Sequence, residues 1–300
     1  MRTCPGCGYE NRLRARRCVR CGTPTPPLPP KRAIEPGALL GRIYRYLLES
    51  PLARGRHSEI WMARDLKFRR TPVALEILKP RLKAIEGLPA AMKRAVRRMA
   101  PHTHPNVTRV FSFEKDELAA FLVTEYVEGP PLSDVLKARR RISEEEALWV
   151  VWEISTGLRF LHGLGLPHGG LNLSNLMLRQ LPPENRLPTV STVRSHPHQC
   201  VKICGWLTAR LVEDFREGKR RFRPMDWSPA GDIRALGKIL YRLIRGRAFP
   251  GAPQGRRPVF RSLDPLTGTL LQLCLGESRT TRAVDLIAHI ERGKEQGRER

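Results

Sequence analysis

Two C-x-x-C pairs open the chain, CPGC and CVRC, setting Cys4, Cys7, Cys18 and Cys21 within the first 21 residues. So short a segment cannot bury a core of its own, and an ion held between the pairs is what can fold it. Each pair can place two thiolates on one side of a tight knuckle, with Gly6, Gly8 and Gly22 nearby to adopt turn conformations that other residues resist. Two knuckles complete a tetrahedral set, and four soft thiolates suit zinc. With every ligand a cysteine, no position stays open for water, so the expected Zn2+ is structural. The competing reading, two redox-active dithiols, lacks the βαβ setting of such pairs. Cys200, Cys204 and Cys274 are scattered far downstream, and this uneven distribution favours metal over disulfides.

The four-cysteine arrangement resembles a short zinc ribbon and covers residues 1–24. A Pro-rich linker follows at 25–40: Thr23 to Arg32 reads TPTPPLPPKR, five prolines in ten residues. Prolines lack the N–H that helix or sheet would use, so the stretch reads as an extended polyproline-like spacer, with a ligand for proline-binding domains as the alternative.

The 300 residues suggest about two domains, and 41% hydrophobic residues mark a globular chain. The longest uninterrupted apolar run, Ala147 to Trp152, falls far short of the roughly 20 residues a membrane span needs. The N-terminus lacks a signal-peptide apolar segment. A cytoplasmic location is the expectation. Lys and Arg number 54 against 29 acidic residues, a net charge of +25, enough to attract nucleic acid, anionic lipid or acidic proteins. The charge is spread along the chain, with one true cluster at Arg216 to Arg223, and a solvated basic surface explains it equally well.

From Gly41 onward the pattern changes. GRIYRYLLESPLARGRHSEIWMARD reads as strand, turn, strand, PVALEILKP at 72–80 as a third strand, and LVTEYVEG at 122–129 as a strand running into a turn. SEEEALWVVWEISTGLRFLHGLG then forms a long helix: Ser143 and Glu146 make a capping box, and Leu148, Val151, Leu158 and Leu161 recur at helical spacing. These strands and helix, with HPNV at 104–107, HGGLNLSN at 168–175, VKICGWL at 201–207 and DIRALGKILYRLIRG at 232–246, resemble in order and spacing the protein kinases of the bacterial serine/threonine type. The resemblance covers residues 41–292 and implies an α+β, two-lobed protein kinase-like fold behind the zinc ribbon. The N-lobe would run over about 41–125, the C-lobe over about 130–292, with a basic, polar tail at 293–300.

Mapped residue by residue, the kinase chemistry departs from the family. The Gly-rich loop falls on Ala53, Gly55, Ser58 and Ile60, keeping one glycine of three. The V-A-I-K lysine is Glu76, whose carboxylate would oppose the nucleotide phosphates. The helix that should supply its glutamate partner offers Ala95 or Arg94, which suggests a reversed ion pair between Glu76 and Arg94 or Arg98, or else a Glu76 that simply reaches solvent. In the catalytic loop His168, Leu171 and Asn175 match, while the base is Gly170 and the lysine two positions on is Asn172. D-F-G becomes Gly205, Trp206 and Leu207. Asp232 lies only 27 positions after Gly205, too few for the usual activation segment. No A-P-E is present, Ser228-Pro229-Ala230 being the nearest remnant, and residues 180–199 read as an inserted flexible loop. HPHQCVKIC brings His196, His198, Cys200 and Cys204 into ligand spacing, although Cys204 belongs in a core strand.

The adenine pocket is better kept. Ile60, Ala74 and Met177 stand where the family sandwiches adenine, and the backbone at Glu125 to Val127 could supply hinge hydrogen bonds. ATP binding stays open, without the usual Mg2+ site. The leading expectation is a catalytically inactive pseudokinase, not an enzyme, serving as a regulatory or scaffold module for a protein partner. Two alternatives stand beside it: a divergent ATP-binding serine/threonine kinase with residual activity, and a nucleic-acid-binding module acting through the ribbon and the basic surface. The sequence specifies no oligomeric state.

Overall fold

A computed structural model describes residues 2–11, 17–24, 33–179, 187, 201–208, 228–251, 260, 262–276 and 281–296. The Arg216 to Arg223 cluster, His196, His198, Cys200 and nearly all of the 180–199 insertion lie outside the described residues.

The first module is a two-stranded hairpin, β1 (Arg2–Thr3) with β2 (Glu10–Asn11). Behind it a six-stranded antiparallel sheet forms, its strands being β3 (Leu39–Leu40), β4 (Tyr46–Arg54), β5 (Ser58–Asp65), β6 (Thr71–Leu78), β7 (Val110–Lys115) and β8 (Ala120–Glu125), in the order β3-β4-β5-β6-β8-β7. Because β3 pairs with β4, and Ile34 and Ala38 pack on the sheet, its edge begins ahead of Gly41. Alternation fixes which way each strand faces. On β6, Val73, Leu75 and Ile77 are buried against Tyr46, Trp61 and Phe121, so Ala74 and Glu76 must point to the opposite side.

Helix α1 (Pro80–Lys83) leads to α2 (Leu88–Met99), whose Leu88, Met92, Val96 and Met99 form one buried stripe. Residues at this spacing share a face, which leaves Arg94, Arg97 and Arg98 on the exposed side. The C-lobe is helical: α3 (Leu132–Arg139), α4 (Glu144–Gly163), α5 (Pro229–Arg245), α6 (Pro265–Leu275) and α7 (Ala283–Gln296). The Ser143–Glu146 capping box closes the N-terminus of α4 as expected, and Leu148, Val151, Leu158 and Leu161 are all buried. Trp149 is buried within that packing, and the Trp152 indole N–H donates to Glu291 on α7. A short antiparallel pair, β9 (Leu176–Leu178) and β10 (Val201–Ile203), lies under the sheet. The polypeptide crosses between lobes at Gly129, where φ is +142° and a Cβ would stand 1.8 Å from the Leu178 carbonyl oxygen.

The HPNV landmark ties the lobes together. Asn106 is fully buried, its Nδ2 donating to Glu153 and to the Val201 carbonyl, and its Oδ1 accepting from Thr156. His104 is not a metal ligand paired with His102 but stacks on Phe160 with centroids 4.9 Å apart. Replacing Asn106 with Ala removes three buried hydrogen bonds at once, to the Glu153 carboxylate, the Val201 carbonyl and the Thr156 hydroxyl, and should lower stability by about 2–4 kcal/mol in chemical denaturation.

Candidate functional site

At the N-terminus, the four sulfurs of Cys4, Cys7, Cys18 and Cys21 lie within 4.8 Å of one another, with Cys4 to Cys21 at 3.5 Å and Cys7 to Cys18 at 3.6 Å. Sulfurs about 2.3 Å from a common ion stand about 3.8 Å apart in a tetrahedron, so the set fits a tetrahedral ion without rearrangement. Each knuckle repeats the same bonds: Gly8 and Gly22, both with φ near 70°, donate to the carbonyls of Cys4 and Cys18, and the Gly6 and Arg20 amides point at the Cys4 and Cys18 sulfurs. Asn11, buried, joins the halves by accepting from the Val19 amide and donating to the Tyr9 carbonyl.

The second cluster lies in the cleft between the sheet and β9-β10. The carboxylate of Asp232 on α5 accepts from the backbone amides of His168 (2.7 Å) and Gly169 (2.8 Å), while the His162 ring nitrogen lies 2.8 Å away. His168 is fully buried, its Nε2 meeting the Cys204 carbonyl at 3.1 Å, and burial holds its pKa below the ordinary histidine value. The loop between these anchors is closed by two asparagines, since Asn172 and Asn175 both donate to the Gly170 carbonyl. Asn172 also caps the following turn by accepting from Ser174. Gly205, with φ at +71°, faces Asn175, and a Cβ there would meet the amide at 3.5 Å, an ordinary contact distance. Ser228 of the Ser228-Pro229-Ala230 remnant caps α5 by accepting from Gly231.

Glu76 sits across the cleft. The reversed ion pair with Arg94 or Arg98 does not form: both arginines lie on the outer face of α2, and Arg98 donates to the Leu164 carbonyl instead. Nor is Glu76 a solvated carboxylate. It accepts a 2.7 Å hydrogen bond from Ser58, and burial, the largest influence, raises its pKa, opposed by the hydroxyls of Ser58 and Thr208. Thr208 is buried. Sequence reading missed a second buried pair, Lys202 Nζ to Glu125 Oε2 at 2.7 Å, which anchors the hinge to β10. Its members stand 77 residues apart and carry no local signal.

Ile60, Ala74 and Met177 are each half-buried, while Val127 is buried. Ala74 shares its side of β6 with Glu76, and Ile60 pairs with Glu76 across β5. The backbone N–H and C=O of Val127 find no hydrogen-bond partner among the described residues. On the phosphate side, Gly55 closes a tight turn by donating to Ser58, and Arg54 lies near Glu59 rather than over the cleft. Cys204 is half-buried, with its thiol pushed up to about 12 by desolvation. A magnesium site of the family's kind does not fit these residues: Asn175 is present, but the position opposite it is a glycine without a carboxylate.

Comparison with known proteins decides the family. The profile described as protein tyrosine and serine/threonine kinase matches residues 47–235. The chain belongs to this protein kinase family. The profile of the zinc finger in Ran binding protein and others matches residues 3–27, so the N-terminal module is a zinc ribbon of that type. Relatives include the serine/threonine-protein kinase pkn3 of Myxococcus xanthus, 26% identical over 68% of this chain and 38% of that protein. PknA of Mycobacterium tuberculosis is 26% identical over 69% of this chain and 48% of its own length. CBL-interacting protein kinase 16 of Oryza sativa subsp. japonica is 30% identical over 67% and 44%. The chain thus spans less than half the length of these curated relatives. Rad53, solved in complex with AMP-PNP, shares the fold, with a TM-score of 0.61, 17% identity, and coverage of 82% of this chain and 65% of that one. These relatives correct the expectation of a non-enzyme, since the proteins that this chain matches over two thirds of its length are named serine/threonine protein kinases. Among the described residues, no helix is long and apolar enough to cross a membrane.

Two measurements follow from this geometry. Glu76→Gln keeps the Ser58 hydrogen bond but cannot ionise. A raised folded-state pKa means that wild-type stability is lost as pH rises, so the variant should melt higher at neutral pH. The difference should shrink toward zero as pH falls to the ordinary glutamate value of 4.5. Metal analysis of the purified chain should find about one tetrahedrally held divalent ion, released by chelator and absent from Cys18→Ser.

Proposed function

We propose that the protein is a divergent ATP-binding serine/threonine protein kinase with slow transfer, carrying a structural Zn2+ on Cys4, Cys7, Cys18 and Cys21. The observation that carries this reading is the catalytic loop itself. Asp232 accepts from the His168 and Gly169 amides and Asn175 ties to the Gly170 carbonyl, a framed loop that supports presentation of an acceptor hydroxyl, and the relatives that this chain matches are named kinases.

Adenine would lie between Ile60 and Ala74 above and Met177 below, its edge meeting the open Val127 N–H and C=O. The γ-phosphorus would pass from the β–γ bridging oxygen to a serine or threonine hydroxyl, ADP leaving and the hydroxyl proton going to solvent or to the new phosphate. Such a transition state is loose, with little need for early proton removal, so Gly170 in place of a base slows the step without forbidding it. A general base contributes typically about 10²–10⁴. With Glu76 where the family's lysine would stand, no cation from β6 clamps the triphosphate, which adds to the slowing.

Radiolabelled ATP and a generic serine/threonine substrate test this on the full zinc-loaded chain. Slow incorporation is expected, rising by at least about a hundredfold in Gly170→Asp combined with Gly205→Asp, and falling in Asn175→Ala. Incorporation indistinguishable from that of Asn175→Ala, at a sensitivity where the double variant transfers readily, would overturn the proposal.

A further inference from the structure

A pocket of about 570 Å³ opens beside the catalytic loop, and its lining extends from Gly170 and Asn172 to the outer face of α5 and to Phe249. Three basic residues, Arg234, Lys238 and Arg242, recur at every fourth position of α5 and line the pocket, a spacing that stacks them along one side of the helix. Lys238 and Arg242 are exposed, and neither meets a carboxylate among the described residues. Like charges one turn apart repel, so the helix itself gives no reason for Lys238 and Arg242. Its opposite face is fully committed to the core through Leu236, Leu240 and Leu243. Phe249, packed on Tyr241 at 5.2 Å, gives the pocket an apolar floor.

Resting on the kinase reading of the same cleft, we propose that Lys238 and Arg242 select the substrate: a serine- or threonine-bearing peptide segment with acidic residues flanking the acceptor. The pocket begins at Gly170, where the acceptor hydroxyl must sit, so a peptide placed for transfer runs its neighbouring side chains along the stripe. A carboxylate there meets Lys238 and Arg242, which face no carboxylate among the described residues. Nucleic acid would also be drawn to positive charge, but two open cations beside an apolar floor match a short peptide better than a phosphate backbone.

The test measures fluorescence anisotropy of a labelled peptide with Asp and Glu around one serine, against the same peptide carrying Asn and Gln, on the full zinc-loaded chain. The acidic peptide should bind about tenfold more tightly at moderate salt. Lys238→Glu/Arg242→Glu should erase that preference, both sites being on the helix surface where the fold is not at stake. Lys93→Glu/Arg97→Glu, on the exposed face of α2, should leave it unchanged. Equal loss in the α2 variant, no acidic preference, or displacement of the peptide by an oligonucleotide would overturn the proposal. A transfer assay on the same peptides separates the two readings. Charge-selective binding without phosphate incorporation removes the kinase reading and keeps the docking site. Incorporation without charge preference does the reverse.

Discussion

The Asp232 carboxylate, almost completely buried, is the point on which the C-lobe turns. Desolvating a carboxylate costs several kcal/mol, and hydrogen bonds to a charged group return about 1.5–3 kcal/mol each. Two loop amides and the His162 ring are together just enough to offset the burial. The fold therefore depends on all of these donors being delivered, and the loop from His168 to Gly170 has the shape that delivers them. The ring of His168 extends the tie to Cys204, so that hydrogen bonds link α5, the catalytic loop and the segment leading to Gly205.

That anchoring explains how substitutions at Glu76, Gly170, Asn172 and Gly205 coexist with a well-formed cleft. Gly170 and Gly205 contribute no side-chain bond, Glu76 bonds the Ser58 hydroxyl, and Asn172 itself helps to close the loop. Asn172 and Asn175 close the loop on the Gly170 carbonyl, a main-chain atom indifferent to the missing side chain. Glu76 is accommodated by a hydroxyl from the neighbouring strand and by partial burial. The cleft thus keeps a hydrogen-bonded frame around positions where the family's phosphate-transfer groups are replaced.

Features with a period or a capping signature were legible in the sequence. Alternation on β6 oriented Ala74 and Glu76, and Ser143 with Glu146 marked the start of α4. The cysteine spacing located the four sulfurs. What escaped was the choice of partner across long separations. Arg94 and Arg98 looked complementary to Glu76 in sign, but the apolar stripe Leu88, Met92, Val96 and Met99 fixes the rotation of α2 and turns both away. The same stripe was readable in advance, and weighing it against charge would have dismissed the pair. Lys202 with Glu125, and Asn106 with Val201, join segments that only the finished topology makes adjacent.

Gly129 has a wider consequence. Its missing side chain lets the interlobe crossing lie main chain against main chain on Leu178, at a separation that a single methyl group would abolish. The two lobes are therefore coupled by backbone at a joint without slack. What fixes the approach of these two segments is an atom that is not present.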